Sequence, residues 1–129
     1  MRLVLLSDTH ARHAEVRVPD GDVLCFAGDL THFGRGVGVE AFDRWLGTLP
    51  HPHKVVVAGN HDFPLEGDPD AASRFRHAVF LQDRGVEIDG VAFWGSAWQP
   101  AFGAMAFGLP RGEALREVWA RVPAGTDVL

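Results

Sequence analysis

The sequence predicts an α/β fold: a mixed, largely buried sheet with flanking helices. Three observations carry that prediction. Leu3 to Leu6, Val23 to Ala27 and Val55 to Ala58 are short apolar runs without alternation, the pattern of strands covered on both faces. Val39, Phe42, Leu46 and Leu49 recur at helical spacing, which predicts a helix over about 39–49, stopped by Pro50 and Pro52 and crossing between the second and third strands. Each apolar run also stops at a small residue followed by a side-chain oxygen: Ser7-Asp8, Gly28-Asp29 and Gly59-Asn60. In open α/β sheets ligands gather at the carboxyl ends of strands, so the three ends are expected to share one rim.

The remaining elements follow in order. Pro19-Asp20-Gly21 makes the first connection a turn-rich loop. A short helix is expected around 71–77, and short strands at 79–81 and 86–88. Asp89-Gly90 predicts a two-residue hairpin turn, with 91–94 as the returning strand. Leu115, Val118, Trp119 and Val122 mark a second helix, with Glu117 and Arg121 spaced as an i, i+4 pair, and Pro123-Ala124-Gly125 breaks it. Asp127-Val128-Leu129 reads as the start of another buried strand. The expected organisation is therefore one domain over 1–129, truncated at its C-terminus inside a core strand, with an exposed strand edge inviting homo-oligomerisation.

Composition narrows the class. The chain has 129 residues, 47% of them apolar, enough to hold a core without staples. The single cysteine, Cys25, excludes an internal disulfide framework and a cysteine-built zinc module. Twelve basic against seventeen acidic residues give a formal charge of −5, which argues against a surface that wraps duplex nucleic acid. No apolar run approaches the ~20 residues of a membrane span, and the apolar start is too short for a signal peptide. A cytoplasmic chain that does not engage a membrane is expected.

The chemistry concentrates at the strand ends. Asp8 and His10, two positions apart, can point to one side of an extended segment and share a cation. Gly28-Asp29 and Gly59-Asn60-His61-Asp62 add carboxylates, an amide oxygen and an imidazole, a donor set suited to manganese, iron or zinc without any thiol. Asp8, Asp29 and Asn60 taken singly would be strand-end caps, but three in register with His10 and His61 favour a metal centre. An HD-type phosphohydrolase based on His61-Asp62 is disfavoured, because that motif sits on helices and here a valine strand and a glycine precede it.

These residues resemble the first three motifs of the calcineurin-like metallophosphoesterase superfamily. Asp29-Leu30-Thr31, Trp45-Leu46-Gly47, Leu81-Gln82-Asp83, Gly95-Ser96-Ala97-Trp98 and Leu109-Pro110-Arg111-Gly112 further resemble its class III cyclic-nucleotide-phosphodiesterase-like branch, across essentially the whole chain. The resemblance implies the N-terminal part of a four-layer α/β/β/α sandwich. It also implies a hydrolase with two divalent ions (Mn2+, Fe2+/Fe3+ or Zn2+) that attacks a phosphoester, more specifically a phosphodiester, with metal-activated hydroxide. Asp8 and His10 would hold the first ion, Asp29 would bridge both, and Asn60 would hold the second. His61, paired with Asp62, would assist the leaving oxygen. A small phosphoester or nucleotide is the implied substrate. The family pattern continues with further histidines beyond Leu129, so a weakened second site is expected, with an impaired, scaffold-like domain as the alternative.

Other residues receive blander readings. His51 and His53 belong to the opposite end of the sheet and are expected at a solvated surface, as is His77. His13 and His32 follow motifs near the rim and are weaker substrate-binding candidates. So is Trp98, which follows a strand end in an apolar stretch that could stack a nucleobase. Trp45 and Trp119 fall on helical stripes and are expected in the core, and Cys25 is read as a small buried hydrophobe.

Overall fold

Side-chain alternation along four parallel strands sorts this molecule into layers. The computed structural model describes residues 1–35 and 38–129. Strands β1 (Leu3–Leu6), β2 (Val23–Ala27), β3 (His53–Val57) and β4 (Val79–Phe80) pair in that order, all parallel, with Leu5 beside Cys25 and Cys25 beside Val55. Val4, Leu24, Phe26, Val56 and Phe80 point to one face. There they meet Val39, Phe42 and Leu46 of helix α1 (Val39–Thr48). Phe42 and Leu46 are fully buried, each such side chain contributing about 1.5–3 kcal/mol relative to an exposed one. The helix carries a buried carboxylate, Asp43, which accepts the backbone N–H groups of Arg76 (3.0 Å) and His77 (2.9 Å) and so anchors the approach to β4.

The opposite face, built from Val23, Cys25, Val55 and Val57, packs against a separate antiparallel hairpin. Its strands are β5 (Arg84–Ile88) and β6 (Val91–Gly95), joined by Asp89-Gly90 with both φ angles positive (49° and 79°). That turn is the predicted one, and it matches the twist of the flanking strands. The four-stranded sheet is thus all parallel, and the antiparallel pairing belongs to the separate hairpin. At Gly95 the sheets are in close contact: a Cβ there would lie 2.3 Å from Leu81 Cβ and 2.5 Å from Val57 Cγ1. A short parallel pair, β7 (Gln99–Pro100) with β8 (Gly108–Leu109), and helix α2 (Glu113–Trp119) complete the order. Residues 127–128 return alongside β6, with Trp94 N–H donating to Val128 O (2.9 Å) and a single parallel bridge between Phe93 and Val128.

Several expectations are corrected. β1 is not covered on both faces: Leu5 is 72% exposed because the hairpin covers the sheet on its β3 side. The helix expected over 71–77 is a single 3₁₀ turn, Ala71–Arg74, since Asp43 captures the following N–H groups instead. Trp119 lies half exposed on α2, and Arg121 approaches Asp83 (3.7 Å) rather than Glu117. His51 is buried, with Nε2 2.9 Å from Pro19 O, whereas His53 and His77 are exposed as expected. No described helix is long and apolar enough to cross a membrane.

Candidate metal centre

The carboxyl ends of β1 and β2 are stitched together by backbone before any side chain is considered. Asp8 N–H donates to Gly28 O and His10 N–H to Asp29 O, each at 3.0 Å. The approach of β2 to β3 depends on glycine at two positions. A Cβ on Gly28 would lie 2.8 Å from Gly59 Cα, and one on Gly59 would lie 2.2 Å from Asp29 Oδ1. Three polar residues here adopt left-handed backbone without being glycine: Asp8 (φ 56°), His10 (φ 44°) and Asp29 (φ 57°). Such conformations cost of order 1–3 kcal/mol each and persist where the surroundings enforce them. They also correct the expected geometry of the first motif. Asp8 and His10 converge through left-handed turns, not through the alternation of an extended strand.

The result is a compact donor set. His10 Nε2 lies 3.8 Å from Asp8 Oδ1 and 3.9 Å from Asp29 Oδ2, and one ligand atom from each of the three falls within 4.8 Å of the others. The Asp29 side chain is 10% exposed and its Oδ1 accepts the His61 N–H (2.9 Å), which leaves Oδ2 aimed at His10. Asp8 is the open side of the set, with its side chain 64% exposed. His10 Nδ1 stands 3.4 Å from Thr31 O, a contact that turns the opposite ring nitrogen toward the carboxylates. Asn60 lines the same cavity of about 610 Å³ as Asp8 and Asp29. Two oxygens and an imidazole nitrogen around one point fit a hard-to-borderline divalent cation.

Three imidazoles meet beside this set. The His61 ring stacks edge-on against His10 with centroids 4.5 Å apart, and His32 stands 5.7 Å from His10 and 5.8 Å from His61. Phe33 covers His61 at 4.1 Å. His32, read from sequence only as a weak substrate-binding candidate, therefore joins the site. The signal available was its position immediately after the Asp29-Leu30-Thr31 motif.

Asp62 does something other than pair with the His61 ring. It is fully buried, and its carboxylate accepts N–H groups from Thr31 (2.8 Å), Gly59 (2.8 Å) and Leu30 (3.3 Å) and the Thr31 hydroxyl (3.0 Å). Burial pushes the Asp62 carboxyl up from its ordinary range, and the bonds from Thr31, Gly59 and Leu30 act against that. Among the described residues His61 Nδ1 is buried without a hydrogen-bond partner.

His13 is likewise not at the rim. It is buried against Phe42 (5.2 Å) and Trp45 (5.1 Å), where burial lowers the pKa of the imidazole. Trp98 lines the cavity, but its Nε1 donates to Asp83 Oδ2 (2.7 Å), beside the bond from Ser96 Oγ to Asp83 Oδ1 (2.7 Å). The Leu81-Gln82-Asp83 and Gly95-Ser96-Ala97-Trp98 segments thus lock together.

Parallel strands whose ends bring Asp8, Asp29 and Asn60 to one cavity, with His10 beside the two carboxylates, are an arrangement suited to a metal-binding α/β domain. The family model for calcineurin-like phosphoesterase matches residues 1–106, and the chain belongs to that family. It is 38% identical over 152 residues to metallophosphoesterase domain-containing protein 1 of Homo sapiens and of Mus musculus, covering 99% of this chain and 47% of each. It is also 38% identical over 144 residues to a UPF0046 protein of Caenorhabditis elegans, covering 100% of this chain and 49% of that protein. The chain therefore spans about half the length of the curated relatives it matches.

Proposed function

We propose that the chain hydrolyses phosphoesters with the help of divalent cations, and that phosphodiesters are its substrate class. The observation that carries the reading is the convergence of Asp8, His10 and Asp29 at neighbouring strand ends. These three would hold one cation, while Asp29 and Asn60 would face a second with a poorer donor set. When bound, such cations acidify water and draw charge from phosphoryl oxygens.

The chain's own residues supply the rest. Thr31 O orients the His10 ring, and the His61 N–H fixes the Asp29 carboxylate. The His61 ring, covered on one side by Phe33, would donate a proton or hydrogen bond to the leaving oxygen. Trp98 and the apolar wall around it offer a surface for a base or aromatic leaving group. Manganese is the ion we assign, on the oxygen-rich donor set.

The test compares bis(p-nitrophenyl) phosphate with p-nitrophenyl phosphate, using the chelator-stripped chain with and without Mn2+. Expected are Mn2+-dependent hydrolysis, preference for the diester, and loss of turnover in Asp29→Asn. Equal hydrolysis by Asp29→Asn and the parent would overturn the assignment. The scaffold reading draws support from the open Asp8 side and the two-donor second position; it predicts Mn2+ binding without turnover.

A further inference from the structure

We propose that His10, His32 and His61 form an imidazole cation site that overlaps the carboxylate site and prefers nickel- or zinc-class ions to manganese. One ring nitrogen from each of the three lies within 4.8 Å of the other two, the same closeness that Asp8, His10 and Asp29 achieve. Both sets use the His10 ring, so an ion in one competes for a donor of the other. Their chemistry differs, however. An all-imidazole set suits zinc, copper and nickel, whereas a set of two carboxylates and one imidazole suits manganese.

The position of His32 is built rather than incidental. Its neighbour Thr31 is held twice: its N–H donates to Asp62 Oδ1 (2.8 Å), and its single hydroxyl proton is shared between His61 O and Asp62 Oδ1, each 3.0 Å away. Asp62 in turn accepts the Gly59 N–H, so the loops that carry His32 and His61 share one buried anchor. A tight turn follows, in which Arg35 N–H donates to His32 O (2.8 Å) and Gly34 N–H to Thr31 Oγ1 (3.3 Å). This frame presents the His32 ring across from His61, with ring planes 33° apart, while His10 stands near-perpendicular to His32 at 88°.

Two further observations point to a ligand. His61 Nδ1 is buried without a partner, and no hydrogen bond engages the His32 ring among the described residues. The three rings therefore keep nitrogens free for a cation. His32 is solvent-exposed while His10 and His61 are half-buried, so the site has an open approach.

The experiment is calorimetric titration of the tag-free, chelator-stripped chain with Ni2+ and, separately, Mn2+. Parent, His32→Gln and Asp8→Asn are compared. The exposure of His32 means its replacement leaves no gap in the core, and far-ultraviolet circular dichroism confirms that the fold is retained. Expected is a loss of Ni2+ affinity in His32→Gln of about tenfold or more, the scale at which even outer-shell changes act, with Mn2+ affinity unchanged. Asp8→Asn should weaken Mn2+ more than Ni2+. Unchanged Ni2+ affinity in His32→Gln, or equal loss for both ions, overturns the imidazole site. The carboxylate set rests on the phosphoesterase reading. Absence of Mn2+ binding in the parent would sink that reading, while the Ni2+ comparison would still decide the role of His32.

Discussion

The buried carboxylate of Asp62 accepts both the backbone N–H and the hydroxyl of Thr31, at 2.8 and 3.0 Å, across thirty-one positions of sequence. With Gly59 N–H on its other oxygen, it binds the loop after β2 to the loop after β3. Asp62→Ala leaves these donors inside the protein without an acceptor, each costing about 1–3 kcal/mol. We expect a loss of roughly 3 kcal/mol or more, read as a fall in midpoint by urea or heat. Asp62→Asn should be intermediate, because its amide keeps one acceptor but turns a donor toward another. A variant as stable as the parent would remove Asp62 from this role.

His13 gives the fold a pH dependence of definite sign. Burial against Phe42 and Trp45 holds its folded pKa below the ordinary value of about 6.5. The unfolded chain therefore binds more protons than the folded one between those two values. Stability from this residue is complete above roughly pH 6.5 and falls as pH drops toward the lowered folded pKa. Denaturation midpoints across pH 5 to 8 should show that loss, and His13→Leu should flatten it over the same window. An equal slope in both proteins would show that other groups set the dependence.

The legibility of the molecule from sequence divides along physical lines. Strand ends were legible because an apolar run closing on Gly-Asp or Gly-Asn encodes both the buried strand and its polar terminus. The hairpin was legible because Asp89-Gly90 satisfies a backbone demand that few pairs meet. Single polar side chains were not. Sequence places Asp62 beside His61, but whether a carboxylate turns toward the next ring or back onto Thr31 depends on a loop thirty residues away. His13 and His51 sit in apolar or backbone-lined niches made by distant segments, and no local pattern announces them. Leu5 failed in the opposite direction. Its apolar run is a strand, but the layer that would cover its outer face does not extend that far.

Gly59 is where packing and chemistry meet. A methyl there would sit 2.2 Å from Asp29 Oδ1 and 2.5 Å from Asp29 N, so the β2 and β3 ends must separate or the Asp29 carboxylate must rotate away from His10. Gly59→Ala should therefore lose Mn2+ affinity by on the order of a hundredfold, the upper end of what an outer-shell change costs, and lower the melting temperature. Gly125→Ala, with nothing within 4 Å and no positive φ, should change stability by less than about 0.5 kcal/mol and leave Mn2+ binding intact. Calorimetry on the two variants decides whether backbone proximity at Gly59 is a condition of the site.

Adjacent residues on β1 should respond oppositely to truncation. Val4 is buried against the α1 side of the sheet at 8% exposure, whereas Leu5 points to the uncovered face. Val4→Ala removes buried methyl groups and should cost about 2 kcal/mol. Leu5→Ser removes a larger side chain yet should change stability by no more than about 0.5 kcal/mol, because little of its surface leaves water on folding. If a second copy pairs through the uncovered face, where Leu5 is exposed beside the apolar cavity it lines, the same substitution should reduce self-association. Urea denaturation tests the first pair of values and sedimentation velocity over a range of concentrations tests the second. A large destabilisation by Leu5→Ser would mean that this face is covered in solution.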